Sequence, residues 1–508
     1  MADYLSRQEV WVIIVYMAAM MFLGAWFNRS SRDVEGYALG HRSMSGLVLG
    51  LSVLGTFTSS ITFLSLPAKV FSGNWNVFVF GLALPPAALI ATRYFVPLYR
   101  REVQMSAFEL LERRFGYWAR LYADLSYMVL QMIRTATIML LVALAVRTTM
   151  GLPIIPTLLV SGVVVIVYDA TGGIQADIWT DVVQVFVIVF GAGWALCELL
   201  FGSVDGPLEI LRQAPTSQWS LGSWDPFDLA NATVMVVFLY GLTENLRNYG
   251  TDQNYVQRML SARSERAASG AIWLGALCYL PVSAIFCLIG VGLAVHYNTT
   301  GSLPEGMRAE EVFPHFMKTE LPPVVLGLVI SGILAAAMST IDSCLNSIST
   351  LVLIDIIRPL RKRAPRIPEI WTLRLSTILF GAIGTGVAIF MHLAFEEERA
   401  RTIMDLWWQY AGTAGGGLFG LFLLAWLTPR LPSWGAGFAV LSTIPVLAWG
   451  TFVRNIPAES PWAWLECPLS PLLVGVAGTA TMLLVGGLLM LGVLGGLYSE
   501  NPRALSQQ

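Results

Sequence analysis

Gly50-Leu51-Ser52-Val53-Leu54-Gly55-Thr56-Phe57-Thr58-Ser59-Ser60-Ile61-Thr62 lies in the middle of a long apolar stretch, residues 45–71, and not at its edge. Gly50 and Gly55 weaken a helix by their backbone freedom, and the run Thr56, Thr58, Ser59, Ser60 and Thr62 offers the backbone competing hydrogen bonds. A continuous helix is therefore expected to break here. A second stretch, 230–256, carries a similar interruption at Gly241, Asn245, Arg247, Asn248 and Gly250. Both occur in a chain of 508 residues that is 56% hydrophobic and 13% charged, with a mean hydropathy of +0.65. That is more apolar surface than a soluble domain buries, so the bilayer is the solvent.

A helix needs roughly 20 apolar residues to cross about 30 Å of hydrocarbon with every backbone polar group paired internally. About thirteen stretches qualify: 9–27, 45–71, 76–98, 120–149, 152–170, 176–202, 230–256, 268–296, 323–357, 371–394, 403–428, 434–453 and 469–498. The first has Asp3 and Glu9 before it and no small-residue cleavage site after it, so it is expected to remain as a span and not to be a signal peptide. No polar linker divides the chain, which predicts one membrane domain. The two interrupted spans lie five spans apart, and that spacing points to inverted repeats with a binding site at mid-membrane. Small residues at a helix interface are the competing explanation.

Positive charge collects after the odd-numbered spans: Arg29, Arg32 and Arg42; Arg100, Arg101, Arg113 and Arg114; Arg258, Arg263 and Arg266; Arg358, Arg361, Lys362, Arg363 and Arg366. This predicts an amino terminus outside and the tail, 499–508, in the cytoplasm. With a formal net charge of -2 and no long basic or acidic block, nothing suggests a nucleic-acid partner, and none is expected. The cysteines Cys197, Cys278, Cys287 and Cys344 show no metal-ligand spacing and read as small apolar residues.

In the ninth span, Ala336, Ser339, Thr340, Ser343 and Ser347 fall on one helix face, with Asp342 and Asn346 at its edge. A hydroxyl stripe can glue helices, but it also offers the oxygens that a hard monovalent cation takes, completed by carbonyls from a broken helix. Asp342 favours the ion, because a mid-span carboxylate is costly unless paired or ligated. Asp181, in Ile178-Trp179-Thr180-Asp181-Val182-Val183-Gln184 after Gly172-Gly173, fits either an ion site or a carboxylate seated on a helix dipole. Arg134 is too deep in the fourth span for easy snorkelling. It fits a contact to an anionic substrate group or a structural pair, with Glu244 as the partner nearest in depth. Trp75, Phe78, Trp407, Trp408 and Tyr410 are candidates for a pocket wall, or for core and interface aromatics.

Gly172-Gly173-Ile174 with Ile178 to Gln184, Asp252-Gln253 with Val256-Gln257-Arg258, and Ser339-Thr340 through Ser347 together resemble the sodium:solute symporter family, over about residues 10 to 430. The stretch Ser52 to Lys69 and Arg134 resemble its bacterial sialic acid transporters most. The resemblance implies an all-α, leucine-transporter-type fold: two inverted five-helix repeats (45–256, with the second opening at 230, and 230–428), an extra first span in 1–30 and two last spans in 434–498. It implies a common sodium site from Gly55, Thr58, Ala336, Ser339 and Thr340, and a second, present in some members, from Asp181, Ser339, Asp342 and Ser343. The chain departs from the sialic acid transporters at Asp342, where they have serine, and two carboxylates there should tighten sodium or let a proton replace it.

For substrate, the resemblance implies Ser59, Thr62 and Arg134, with Phe57 and Gly81 where those transporters carry polar side chains; Phe78 joins them as the candidate aromatic wall. The expected function is sodium-coupled symport of a carboxylate-bearing solute such as an acidic sugar. The alternatives are a neutral sugar, a monocarboxylate or an amino acid, and, from other classes, a solute sensor or a passive channel. Sodium from outside would pre-order a pocket between spans two, three, seven and eleven, and rocking of one bundle against the other would open the far side. No phosphate-binding glycine loop is present, so the ion gradient is the expected driving force. The protein is expected not to be an enzyme, to sit in the plasma (inner) membrane, and to need no obligate protein partner.

Overall fold

The computed structural model describes residues 7–27, 33–170, 173–202, 212–301, 303–360, 368–394, 403–454, 456 and 459–500. Gly172 of the family motif and Arg29, Arg32, Arg361, Lys362, Arg363 and Arg366 lie outside the described residues, as does most of the expected tail. The fold is helical throughout. Its principal helices are α1 (Arg7–Phe27), α2 (Gly46–Phe57), α3 (Ile61–Ser72), α4 (Trp75–Glu102), α5 (Tyr117–Met150), α6 (Ile154–Asp169), α7 (Ile174–Phe201) and α8 (Val234–Thr251). They continue as α9 (Gln253–Ser261), α10 (Glu265–Thr300), α11 (Ala309–Glu320), α12 (Pro323–Leu360), α13 (Glu369–Ala394), α14 (Ile403–Leu427), α15 (Ser433–Phe452) and α16 (Pro471–Gly492).

The break expected in the second span is present: α2 and α3 meet at a bend of 56°. Ser45 caps the start of α2 by accepting from the Val48 N–H. The helix ends at Thr58, whose backbone leaves helical geometry (φ -96°, ψ 75°) while its N–H still donates to the carbonyls of Leu54 at 2.9 Å and Gly55 at 3.1 Å. The interruption of the seventh span falls at Asp252 (φ -87°, ψ 116°), just after the polar run. There the Asp252 carboxylate accepts from the Asn254 N–H at 2.9 Å and so caps α9.

Ten helices among the described residues are long and apolar enough to cross a membrane, and the bent pair α2/α3 makes an eleventh. The expectation of thirteen is not reached on that measure. The fifth expected span, α6, has 16 residues, about 24 Å of helix at 1.5 Å per residue. The seventh, divided between α8 and α9, is too polar on average because it lines the interior site. Exposed apolar side chains such as Trp11, Phe22, Phe186, Phe190, Leu441 and Phe452 cover the outside of the bundle, as a lipid-facing surface requires.

The hydroxyl-bearing α12 lies at the centre, packed against α7, α1, α5, α13 and α2. The ends of α4, α9 and α12 and the start of α5 meet at one end: Arg100 donates to the carbonyls of Met259 and Ala262, and Arg120 pairs with Asp355. One basic residue of the sequence reading does not belong with them. Arg258 is in α9, 2% exposed, with carboxylates on α7 around it.

Candidate functional site

The two helix breaks face one another across a cavity of about 70 Å3. Of the expected substrate residues, Phe57, Ser59, Thr62 and Arg134 line it. Phe78 and Gly81 do not: Phe78 turns onto Trp75, with ring centroids 5.6 Å apart, and a side chain on Gly81 would meet Tyr279 at 3.3 Å. The residue that reaches the cavity from this helix is Phe80, two positions past Phe78 and so on the other side of α4. Trp407 and Trp408 line the cavity, whereas Trp75 and Tyr410 do not.

At the break, Thr62 donates to the Phe57 carbonyl at 3.0 Å, and Ser59 accepts from the Ile61 N–H at 3.2 Å. These bonds fix the amino-terminal turn of α3, whose positive dipole end faces the cavity. Arg134 spans both breaks. Its Nη2 donates to the Thr56 carbonyl at 3.1 Å, and its Nη1 stands 3.8 Å from Asp252. Asp252 is already held by Tyr127 Oη at 2.9 Å, Gln131 Nε2 at 3.2 Å and the Asn254 N–H. The guanidinium is therefore loosely engaged, with donors directed at the cavity.

The alternative partner for Arg134 is taken. Glu244 is bound bidentately by Arg247, with Nε at 2.9 Å, and Arg247 also donates to Asn248 at 2.8 Å. Gly415 of α14 makes room for this arginine, since a side chain there would meet Arg247 Cδ at 2.6 Å. Glu244, Arg247, Asn248, Asp252, Gln131, Tyr255 and Tyr279 all line the cavity but were not singled out from sequence as site residues. The density of polar groups in the seventh span was the signal that could have found the first four.

A wider cavity of about 550 Å3 lies beyond, bordered by Lys69, Asn74, Asn76, Asp405 and Gln409, and it shares Trp408 with the inner one. Trp408 stacks on Phe80 (centroids 5.7 Å apart, planes at 23°) and tilts against Tyr240 at 5.5 Å. Its side chain borders both. Trp408→Ala is expected to merge the cavities and let a small thiol reagent reach a cysteine placed at Thr62. Labelling of the Thr62→Cys protein that does not accelerate when Trp408 is truncated contradicts this role.

Of the residues expected to form the common sodium site, Gly55 and Ser339 meet where α2 ends against α12. A side chain on Gly55 would meet Ser339 Oγ at 3.2 Å and Asp181 Cβ at 3.4 Å, so the missing side chain lets the three elements approach closely without crowding. Thr340 donates to the Ala336 carbonyl at 3.2 Å, and the buried Thr58 hydroxyl has no hydrogen-bond partner. That orphaned oxygen beside a helix break suits a cation that needs oxygen ligands.

The second expected set is arranged differently. Asp181 accepts from Ser52 Oγ at 2.5 Å, from Ser339 Oγ and from Arg258 Nη2 at 2.8 Å. Arg258 also reaches Asp177 at 3.1 Å, Ser343 Oγ at 2.8 Å and Ser52 Oγ at 2.8 Å. Asp181, Ser339 and Ser343 thus meet around a guanidinium. Asp342, 1% exposed, does not join them by hydrogen bond, and neither of its carboxylate oxygens has a partner.

Residues 37–442 match the profile of the sodium:solute symporter family. The chain is 33% identical to the sodium/sialic acid symporter SiaT of Proteus mirabilis over 449 residues, 86% of this chain and 88% of that protein. It is 28% identical to the sodium/sialic acid symporter NanT of Aliivibrio fischeri, over 93% of this chain and 91% of that one. It is 25% identical to sodium-coupled monocarboxylate transporter 1 of Xenopus laevis, over 92% of this chain and 74% of that one. A solved structure of a Na+-coupled sialic acid symporter, substrate-bound and outward-open, superposes with a TM-score of 0.82 at 29% identity, covering 96% of this chain and 98% of that one. Mhp1, a nucleobase-cation-symport-1 transporter, shares the fold at 15% identity with a TM-score of 0.59, over 91% of this chain and 95% of that one. By profile, relatives and fold, and with helix breaks that meet at one polar cavity, the chain belongs to the sodium:solute symporter family.

Proposed function

We propose that the chain carries a small acidic sugar of the sialic acid type together with sodium, and that the substrate carboxylate is held at the cavity between the helix breaks. Family membership makes the protein a sodium-coupled transporter and not an enzyme. The observation that carries the acidic substrate is Arg134, a part-buried guanidinium 3.8 Å from a carboxylate that has other donors, beside the amino-terminal turn of α3. Ser59 and Thr62 add hydroxyls at the same turn, and Tyr255, Tyr279 and Trp408 give a sugar ring flat faces to pack on. The relatives from Proteus mirabilis and Aliivibrio fischeri, both sialic acid symporters, support this assignment.

Coupling follows from shared backbone. Gly55, Thr58, Ala336, Ser339 and Thr340 are the proposed first sodium site, and Thr58 directly precedes Ser59. An ion that holds the end of α2 fixes the same turn that presents Ser59, Thr62 and the Thr56 carbonyl on which Arg134 rests. The basic loops gathered at one end support a cytoplasmic location for that end, with the amino terminus outside and the membrane that of the cell surface. In that orientation the larger cavity opens outward.

One observation favours a second reading. About 70 Å3 holds a few water molecules and is far below the roughly 300 Å3 at which ligand pockets begin. A small monocarboxylate needs less rearrangement than a sugar acid. Thermal denaturation of the purified protein separates the two. N-acetylneuraminic acid is expected to raise the melting temperature in sodium but not in potassium, and its uncharged methyl ester is expected to do neither. Stabilisation by pyruvate or propionate alone would establish the second reading, and stabilisation by the ester equal to that by the acid would refute an anion site.

A further inference from the structure

We propose that the wider outer cavity is a second binding site for the substrate, in which Lys69 receives the carboxylate of the acidic sugar before it reaches Arg134. The inference rests on the acidic-sugar reading above and gives that solute a docking place on its way to the inner cavity.

Size and chemistry single out this place. Its volume of about 550 Å3 lies within the roughly 300–1,000 Å3 of small-molecule sites, whereas the inner cavity, at about 70 Å3, takes no sugar acid without rearrangement. Among its lining residues Lys69 is the one base and Asp405 the one acid. Asn74, Asn76 and Gln409 supply amides of the kind that bind sugar hydroxyls. Asn74 spends its Oδ1 on the Asn76 N–H at 3.0 Å, and Asn76 spends one Nδ2 hydrogen on the Leu221 carbonyl at 2.8 Å, so both keep amide hydrogens for a ligand. Gln409 is 8% exposed, and its side-chain amide has no hydrogen-bond partner among the described residues.

Lys69 is held by a partner it can exchange. Its Nζ lies 2.6 and 2.7 Å from the two carboxylate oxygens of Asp405, and the side chains are 27% and 36% exposed. An ion pair so open to solvent contributes little net, because water screens it. A substrate carboxylate that replaces Asp405 therefore forms an equivalent pair, and the displaced carboxylate stays at the wall of an open cavity and not in the core. Position links the two sites. Lys69 follows Thr62 by seven residues of α3, about two turns and roughly 10 Å along the axis. Thr62 lines the inner cavity, Lys69 the outer one, and Trp408 borders both. An anion that moves inward thus passes along one helix from an ammonium to a guanidinium, and the ammonium raises its local concentration at the mouth.

The test is saturation-transfer NMR of N-acetylneuraminic acid with the purified protein, in an Arg134→Ala background that lacks the inner anion contact. Weak residual binding of the acid, and not of its uncharged methyl ester, is expected there. Adding Lys69→Gln should abolish it, and adding Asp405→Asn instead should tighten it by about two- to fivefold, the worth of a partly exposed ion pair. Lys69→Gln together with Asp405→Asn leaves no unpaired charge, so it reads the same loss if the single change at Lys69 hinders folding. Residual binding that survives both forms of the Lys69 change, that Asp405→Asn weakens, or that the ester shares equally overturns the outer site. So does Arg134→Ala protein with no residual binding beside a wild type that binds. Wild-type protein that binds no N-acetylneuraminic acid overturns the acidic-sugar reading itself, an outcome distinct from loss of the outer site alone.

Discussion

Arg134→Ala is expected to lower the affinity for an acidic sugar by roughly 30-fold or more while leaving the fold intact. Truncating one side of a buried, charge-assisted hydrogen-bond pair costs about 2–5 kcal/mol, and each 1.4 kcal/mol is tenfold. The fold should survive because Asp252 keeps Tyr127, Gln131 and the Asn254 N–H as donors when the arginine is gone. Arg134→Lys should rescue little, since an ammonium cannot span the Thr56 carbonyl and a carboxylate with a planar pair of donors. Substrate titration of the purified variants measures both. Equal affinity of wild type and Arg134→Ala for the acid removes Arg134 from the substrate site.

The second large effect is on stability. Arg258→Met leaves Asp177 and Asp181 buried, 4% and 0% exposed, with no positive charge beside them. Breaking a buried ion pair from one side costs about 3–5 kcal/mol. The variant is expected to melt well below wild type in detergent. Adding Asp177→Asn and Asp181→Asn to the same protein should recover most of the loss, because the uncompensated charge and not the missing contact is what destabilises. A triple variant no more stable than Arg258→Met contradicts that charge accounting.

Arg258 also shows where local sequence runs out. It follows a span and precedes Arg263 and Arg266, so it reads as one more basic loop residue. Its partners are 81 and 77 residues away on α7, a distance no spacing rule bridges. The break at Thr58 was legible because its causes are local: two glycines and a run of hydroxyls in one apolar span. The break at Asp252 was legible in kind but blurred in place, because the polar residues Asn245, Arg247 and Asn248 that announce it remain helical, and the last two line the cavity instead.

Span count suffered from the same mixture. A helix that faces a polar cavity need not look like one that faces lipid, and α8 with α9 fails a hydropathy test for the reason that makes it useful. The choice of Phe78 over Phe80 has a smaller cause. Phe78 packs back on Trp75 in the first turn of α4 while Phe80 reaches the cavity, and the sequence does not display that rotation. The hydroxyl stripe, by contrast, followed directly from helical period: Ser339, Thr340 and Ser343 are all buried, and Asp342 stands at its edge with its oxygens unmet.

Uptake into proteoliposomes tests the central claim most directly. With labelled N-acetylneuraminic acid outside, an inward sodium gradient is expected to drive accumulation above the external concentration, a potassium gradient is not, and Arg134→Ala protein should abolish the accumulation. Uptake that only equilibrates, and does so alike with and without sodium, would contradict coupled transport of an acidic sugar by this chain.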